Sequence, residues 1–158
     1  MKKFFPLLLS FVLLTACSEN TVSPEFPGSY CGIVNVTYND CEYSADALFK
    51  DNVLKIVIVK PETMKGFEFL INNEDTIVRS NSFELNYKTE KIDDFCPWLY
   101  LYHAMCLINA ESPTFKRNTD SYFAEISSNG NYYEFFLDKE TEKITKVKCG
   151  TYDFIFKA

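Results

Sequence analysis

The residue types that most often carry chemistry are sparse in this chain and poorly spaced for it. His103 is the only histidine among 158 residues, and no serine elbow, cysteine–base pair or acid pair stands at a spacing used for acyl transfer or hydrolysis. It sits inside PWLYLYHAMCLINA, where a ring at the edge of a core explains it better than a pH-sensing lid residue. Asp93 and Asp94 precede that stretch as helix-starting charges, and Glu140-Thr141-Glu142 reads as a solvated loop rather than a set of calcium ligands. The five glycines are scattered, so there is no phosphate-binding loop. Six cysteines include no CxxC and no Cys/His pairing, so no metal site and no cofactor is expected. The expectation is a protein that binds, not an enzyme.

What remains as candidate binding chemistry is aromatic and aliphatic surface, with ten tyrosines and fifteen phenylalanines making up most of the 16% aromatic content. The elements that position it fall into one helix and many strands. Pro97 to Ala110 puts Trp98, Leu101, Tyr102, Met105 and Ile108 on one helical face, and Leu99, Cys106 and Leu107 widen that face until little polar surface is left. Pro97 suits a first helical position, and Glu111-Ser112-Pro113 supplies a stop. Fourteen residues span about 21 Å, too short for a bilayer, so this helix must be covered by protein.

The rest alternates with a period of two. Cys31 to Tyr38 and Cys41 to Lys50 form a hairpin turning at Asn39-Asp40, with Val36 facing Tyr43, Val34 facing Ala45 and Gly32 facing Ala47. A second turn at Asp51-Asn52 brings Val53 to Lys60 into the same register, so Leu54, Ile56 and Ile58 share that apolar side with Phe49. Shorter strands follow over Gly66 to Ile71, Thr76 to Arg79 and Phe83 to Tyr87. Beyond the helix, Asn129-Gly130 is the strongest hairpin signal, pairing Ile126 with Tyr133 and Ala124 with Phe135. Ile144 to Cys149 and a closing strand through Tyr152, Phe154 and Phe156 complete the pattern. The fold class is therefore mainly β (α+β), an antiparallel sheet wrapped around one apolar helix. In such a sheet Tyr38, Tyr43, Phe49, Ile56, Phe67, Tyr133 and Phe135, with Trp98 and Met105 on the helix, line a hollow for an alkyl chain, or else pack against the helix and leave no cavity.

Met1-Lys2-Lys3 is a short basic start and Phe4 to Leu14 an apolar core of signal-peptide length. Leu14-Thr15-Ala16-Cys17 resembles the lipobox of bacterial lipoproteins. That resemblance implies cleavage after Ala16, a diacylglycerol thioether on Cys17, and attachment to a membrane by an acyl anchor. It divides the chain into a signal peptide (1–16), a lipid-anchored tether (17–28) and one β domain (29–158). Losing Lys2 and Lys3 with the leader lowers the formal net charge from −6 to −8, which leaves no electrostatic footprint for nucleic acid. Ser18 in place of an aspartate after the cysteine implies an outer-membrane destination if the cell has one, and the outer face of the plasma membrane otherwise. Five cysteines then remain, an odd number for an exported chain. Cys96 and Cys106 stand about 15 Å apart along the helix, so free thiols are expected, with an intermolecular bridge through Cys31 as the alternative.

The segments NVTYNDCEYSADALF, LKIVIVKPETMKGFEFLINNEDTIV and GNYYEFFLDKETEKITKV, with the Pro97 helix between the second and third, together resemble the outer-membrane lipoprotein carriers and receptors. They are similar also to the related Gram-positive lipoproteins, some linked to germination. The resemblance implies a curved antiparallel sheet forming a half-open barrel around one apolar helix, whose concave side accepts an acyl chain or lipoprotein. Its alternative is an interaction module that docks on, and regulates, another exported envelope or cell-wall protein.

Overall fold

The computed structural model describes residues 21–24, 28–91 and 96–157. Cys17, the leader, Asp93 and Asp94 lie outside the described residues, and so does most of the tether. Within them the chain forms one antiparallel sheet of twelve strands and one α-helix. The strands are β1 (Thr21–Val22), β2 (Ser29–Tyr38), β3 (Cys41–Lys50), β4 (Val53–Lys60), β5 (Glu68–Ile71), β6 (Asp75–Ser80) and β7 (Phe83–Lys88). After helix α1 (Pro97–Glu111) come β8 (Phe115–Arg117), β9 (Tyr122–Ser128), β10 (Asn131–Leu137), β11 (Ile144–Cys149) and β12 (Tyr152–Lys157).

Two-residue turns set the register. Asn39 and Asp40, Asp51 and Asn52, and Asn129 and Gly130 all have positive φ, as the turn that matches strand twist requires. The pairings follow the expected alternation: Val34 faces Ala45, Ala47 faces Ile56, and Tyr133 faces Ile126. Irregularities between Ser44 and Ala45 and between Phe136 and Leu137 bend the long strands.

The spatial order is β1-β8-β9-β10-β11-β12-β2-β3-β4-β5-β6-β7. Two meanders are thus joined at the centre, where the last strand pairs with β2. The sheet stays open, because β1 and β7 end it without pairing to each other. This order explains the helix. The chain leaves the sheet at one edge, β7, and must return near the other, at β8, so the segment between them crosses a face of the sheet.

That crossing segment is apolar on nearly every side, and Trp98, Leu99, Leu101, Tyr102, Ala104, Met105 and Ile108 are all buried. Among the described residues of α1, His103, Ala110 and Glu111 are exposed. The helix packs against β4, β5 and β11 and stops at Ser112, which takes the left-handed conformation and returns its N–H to Ile108 O at 3.1 Å. Ala45 and Ala47 are at most 3% exposed although each side chain is a single methyl, so larger groups cover them.

Three details differ from the sequence expectation. Thr21 and Val22, read as tether, add a short strand against Phe115 and Lys116. Strand β8 is too short to show alternation, yet its Phe115 is fully buried. Gly66 and Phe67, expected as the start of a strand, instead close the turn after Pro61, with Gly66 N–H donating to Ile58 O.

Candidate functional site

Of the nine residues expected around a hollow, Tyr38, Tyr43, Phe49, Ile56, Tyr133 and Phe135 share the inner side of the sheet, Phe67 packs on the same core from the turn before β5, and Trp98 and Met105 are on the helix above them. Phe49, Ile56 and Phe135 are fully buried, Tyr133, Trp98 and Met105 are at most 5% exposed, and Tyr38, Tyr43 and Phe67 are half-buried against the same core. Their contacts are those of packed rings. Trp98 lies 6.4 Å from Phe154, Tyr38 5.7 Å from Tyr152, and Tyr133 6.4 Å from Phe135, centroid to centroid. The concave side is occupied by the protein's own helix.

The open space lies at one end. A groove of about 830 Å³ runs between the last turns of α1, the start of β2, the end of β12 and the loop before β11. Its floor is Tyr30, Met105, Ile108, Ile144 and Phe156, and its rim carries Asp138, Glu140, Glu142, Lys143 and Lys157. Of the nine expected residues Met105 alone lines it. Tyr30 stands edge-on to Phe156 at 4.9 Å and donates its hydroxyl to Ile33 O at 3.2 Å. Burial, with the neighbouring Cys31 thiol second, pushes its phenol up to about 12. The rim loop is tied by Asp138, whose Oδ1 accepts the N–H groups of Glu140 and Thr141 and the Thr141 hydroxyl. Those bonds lower its pKa, the Thr141 N–H contributing most. Tyr30 and Phe156 stand near strand ends, where alternation says nothing about which inner residues meet space and which meet a helix.

Beneath the Tyr30 hydroxyl, at Gly32, a larger side chain could be admitted only if the tyrosine ring and the end of β12 moved. A methyl on Gly32 would meet Tyr30 Oη at 2.5 Å and Lys157 O at 3.0 Å.

Among the described residues the five thiols are free, with Cys31 exposed, Cys149 buried and the other three between. Burial raises Cys149, Cys96 and Cys106, with the Tyr133 and Tyr102 hydroxyls partly offsetting it at Cys149 and Cys106. No grouping of three or more metal-ligating side chains occurs among the described residues.

The outer side divides into charged and apolar parts. Lys55, Glu68, Arg79 and Glu84 form a chain of ion pairs across β4, β5, β6 and β7 at 2.8, 3.5 and 2.6 Å. Over β12, β2 and β3, by contrast, Ile155, Ile33 and Leu48 are 38 to 43% exposed. Ile155 lies opposite Asn35 and Leu48 opposite Cys31, so the three form a diagonal stripe on neighbouring strands with Ile33 in the middle.

The class this fold defines is a half-open antiparallel barrel with a single helix in its concavity, the architecture that the carrier and receptor resemblance implies. No family model and no curated protein matches the sequence. Among solved structures, the chain is similar to an uncharacterized conserved protein from Thermus thermophilus, with a TM-score of 0.47 and 10% identity over 81% of this chain and 75% of that one. It is similar also to a chain in the structure of the CwlD amidase from Clostridioides difficile in complex with the GerS lipoprotein (TM-score 0.47, 13% identity, 94% of this chain and 86% of that one). A LolA superfamily protein from Nitrosomonas europaea gives a TM-score of 0.34 and 12% identity over 79% and 66%. Likenesses at this level carry no functional reading.

Proposed function

We propose that this protein is an exported, membrane-tethered, non-enzymatic module that docks on another exported protein through the outside of its sheet. One observation carries the reading. The concavity that would hold a lipid is filled by α1, while large apolar side chains are left in water on the convex side, as the Ile155–Ile33–Leu48 stripe. The lipobox pattern supports the tether, with Cys17 as the attachment point. Site-specific photo-crosslinking in the producing cell tests the docking. A crosslinker at Leu48 should capture one exported protein, whereas one at Glu42, exposed near the opposite end of the same strand, should capture much less. Equal, diffuse capture at both positions would sink the reading. For the tether, Cys17→Ser should release the protein from the membrane fraction.

A second reading has its own observation. The groove at the end of α1 has an apolar floor and the volume of a small-ligand site, enough for one acyl chain. Native mass spectrometry after incubation with palmitate separates the two readings. An adduct abolished by Ile144→Trp would favour the groove, and a clean protein mass would leave the convex stripe.

A further inference from the structure

We propose that β7 pairs edge to edge with β7 of a second copy of this chain, in an antiparallel two-fold register centred on Asn86. Strand β7 is the terminal strand at its side of the sheet, and all six of its residues are exposed. Its inner side carries Phe83, Leu85 and Tyr87 at 39, 44 and 47% exposure, although their partners in β6 are better covered. A flat, exposed edge with apolar residues is a template for another strand unless something blocks it. Among the described residues no segment but β6 pairs with β7, which contains no proline and has no register shift, and its two charges, Glu84 and Lys88, are each paired with an opposite charge on β6.

The hydrogen-bond phase shows which backbone groups are free. Thr89 N–H donates to Glu74 O at 3.0 Å, while Glu74 N–H turns to Asn72 Oδ1, so this one bond puts Thr89 and Glu74 at a hydrogen-bonded position of the ladder. In an antiparallel ladder such pairs alternate, and the β6–β7 register then makes Tyr87–Thr76, Leu85–Val78 and Phe83–Ser80 hydrogen-bonded as well. The N–H and C=O groups of Glu84, Asn86 and Lys88 therefore point away from β6, toward the open edge.

A second strand must match those three residues with outward-pointing residues of its own. In self-pairing this leaves two central registers, one about Leu85 and one about Asn86. The Leu85-centred register sets Glu84 against Asn86 and gives Lys88 no acidic partner. The Asn86-centred register sets Glu84 against Lys88 of the other copy twice by symmetry, Asn86 against Asn86, and Leu85 against Tyr87 on the apolar side. Charge and apolar complementarity both select Asn86. Within one copy Glu84 and Lys88 already pair with Arg79 and Asp75, but these are exposed ion pairs, which exchange partners at little cost. This inference does not depend on the docking partner proposed above.

Register-specific cysteine trapping of the full-length chain, in a Cys31→Ser background to remove the exposed native thiol, tests it. Two Cα atoms at position 86 would sit about 5.5 Å apart across the two-fold axis, within disulfide reach. At 85 the separation would be about 8 Å and at 84 about 14 Å, both too long. Asn86→Cys should give a disulfide-linked dimer on non-reducing gels, and Leu85→Cys and Glu84→Cys should give little. Adding Lys88→Glu to the Asn86→Cys chain, which sets two acidic pairs facing each other, should cut the dimer, and adding Glu84→Lys as well should restore it. No dimer with Asn86→Cys, a dimer strongest with Leu85→Cys, or equal trapping at all three positions would overturn the proposal.

Discussion

Strands β4 and β7 lie three places apart in one sheet and carry the same period-two pattern, yet their apolar sides meet different surroundings. Leu54, Ile56 and Ile58 of β4 are at most 1% exposed, whereas Phe83, Leu85 and Tyr87 of β7 are 39 to 47% exposed. The helix packs on β4 and β5 and leaves β7 uncovered. Around β7 the structure is held by other means: the ion-pair chain from Lys55 to Glu84, and a buried pair of hydroxyls. Thr76 Oγ1 and Thr89 Oγ1 lie 3.1 Å apart, and the Thr89 hydroxyl donates to Asn72 O at 2.8 Å. Alternation therefore assigns a residue to a side of the sheet, but only the reach of α1 makes that side a core. The interior of the sheet is stabilised by burial and its β7 edge is left available.

This contrast can be broken or sharpened by experiment. The largest difference should appear in thiol reactivity: Cys149 is buried under the helix and its pKa is raised, while Cys31 is exposed. If Cys149 reacts only when the core opens, its alkylation should be at least about 1,000-fold slower than that of Cys31, given a typical domain stability of about 5 kcal/mol or more. Comparable rates by peptide mass spectrometry would show that the centre of the sheet is as open as its edge. Next come the packed side chains. Ile56→Ala and Phe154→Ala should each cost about 2–5 kcal/mol in denaturant unfolding, because the helix cannot collapse into the space they leave.

Thr89→Val tests the polar substitute for a core. It strips the donor from Asn72 O and the partner from Thr76, and should cost about 1–3 kcal/mol. Leu85→Ala, on the exposed row of β7, should change stability by about 0.5 kcal/mol or less in the monomer, and a loss as large as that of Ile56→Ala would mean that β7 is covered in solution. The smallest effect is electrostatic. The hydrogen bond from Lys55, with further attraction from Lys55 and Arg79, holds the Glu68 carboxyl below its ordinary value of 4.5. Since the folded-state pKa is the lower one, the stabilisation is present above about pH 4.5 and is lost as pH falls through the folded value. Glu68→Gln should therefore lower stability slightly above about pH 4.5, neutrality included, and leave it unchanged below the folded value, so that the acid limb flattens; an unchanged profile would show these pairs to be inert.

Much of the site's framework was legible before any coordinates. The turns at Asn39-Asp40, Asp51-Asn52 and Asn129-Gly130 use residues that tolerate positive φ, so they specify two-residue loops, and each loop then sets the pairing along its hairpin, up to the irregularity at Ser44 and Ala45 in the second. The helix was legible from Pro97 and from an apolar pattern that leaves no face for water, and it ends at Glu111, one residue past the sequence-based boundary. Phe115 and the pairing of Thr21–Val22 were not, since segments of two or three residues hold no period. The groove lined by Tyr30, Ile108, Ile144 and Phe156 was illegible for a different reason, because it is the space left where four distant segments fail to meet.

The sequence by itself determined the strand registers, the inner and outer faces and the one apolar helix, because these depend on neighbours within a hairpin or a helical turn. Only the tertiary structure decided whether the inner face is a hollow or a core, and which apolar rows stay in water. That outcome depends on how the volume of α1 matches the concavity of strands brought together from both ends of the chain, a sum over distant residues that no local pattern contains.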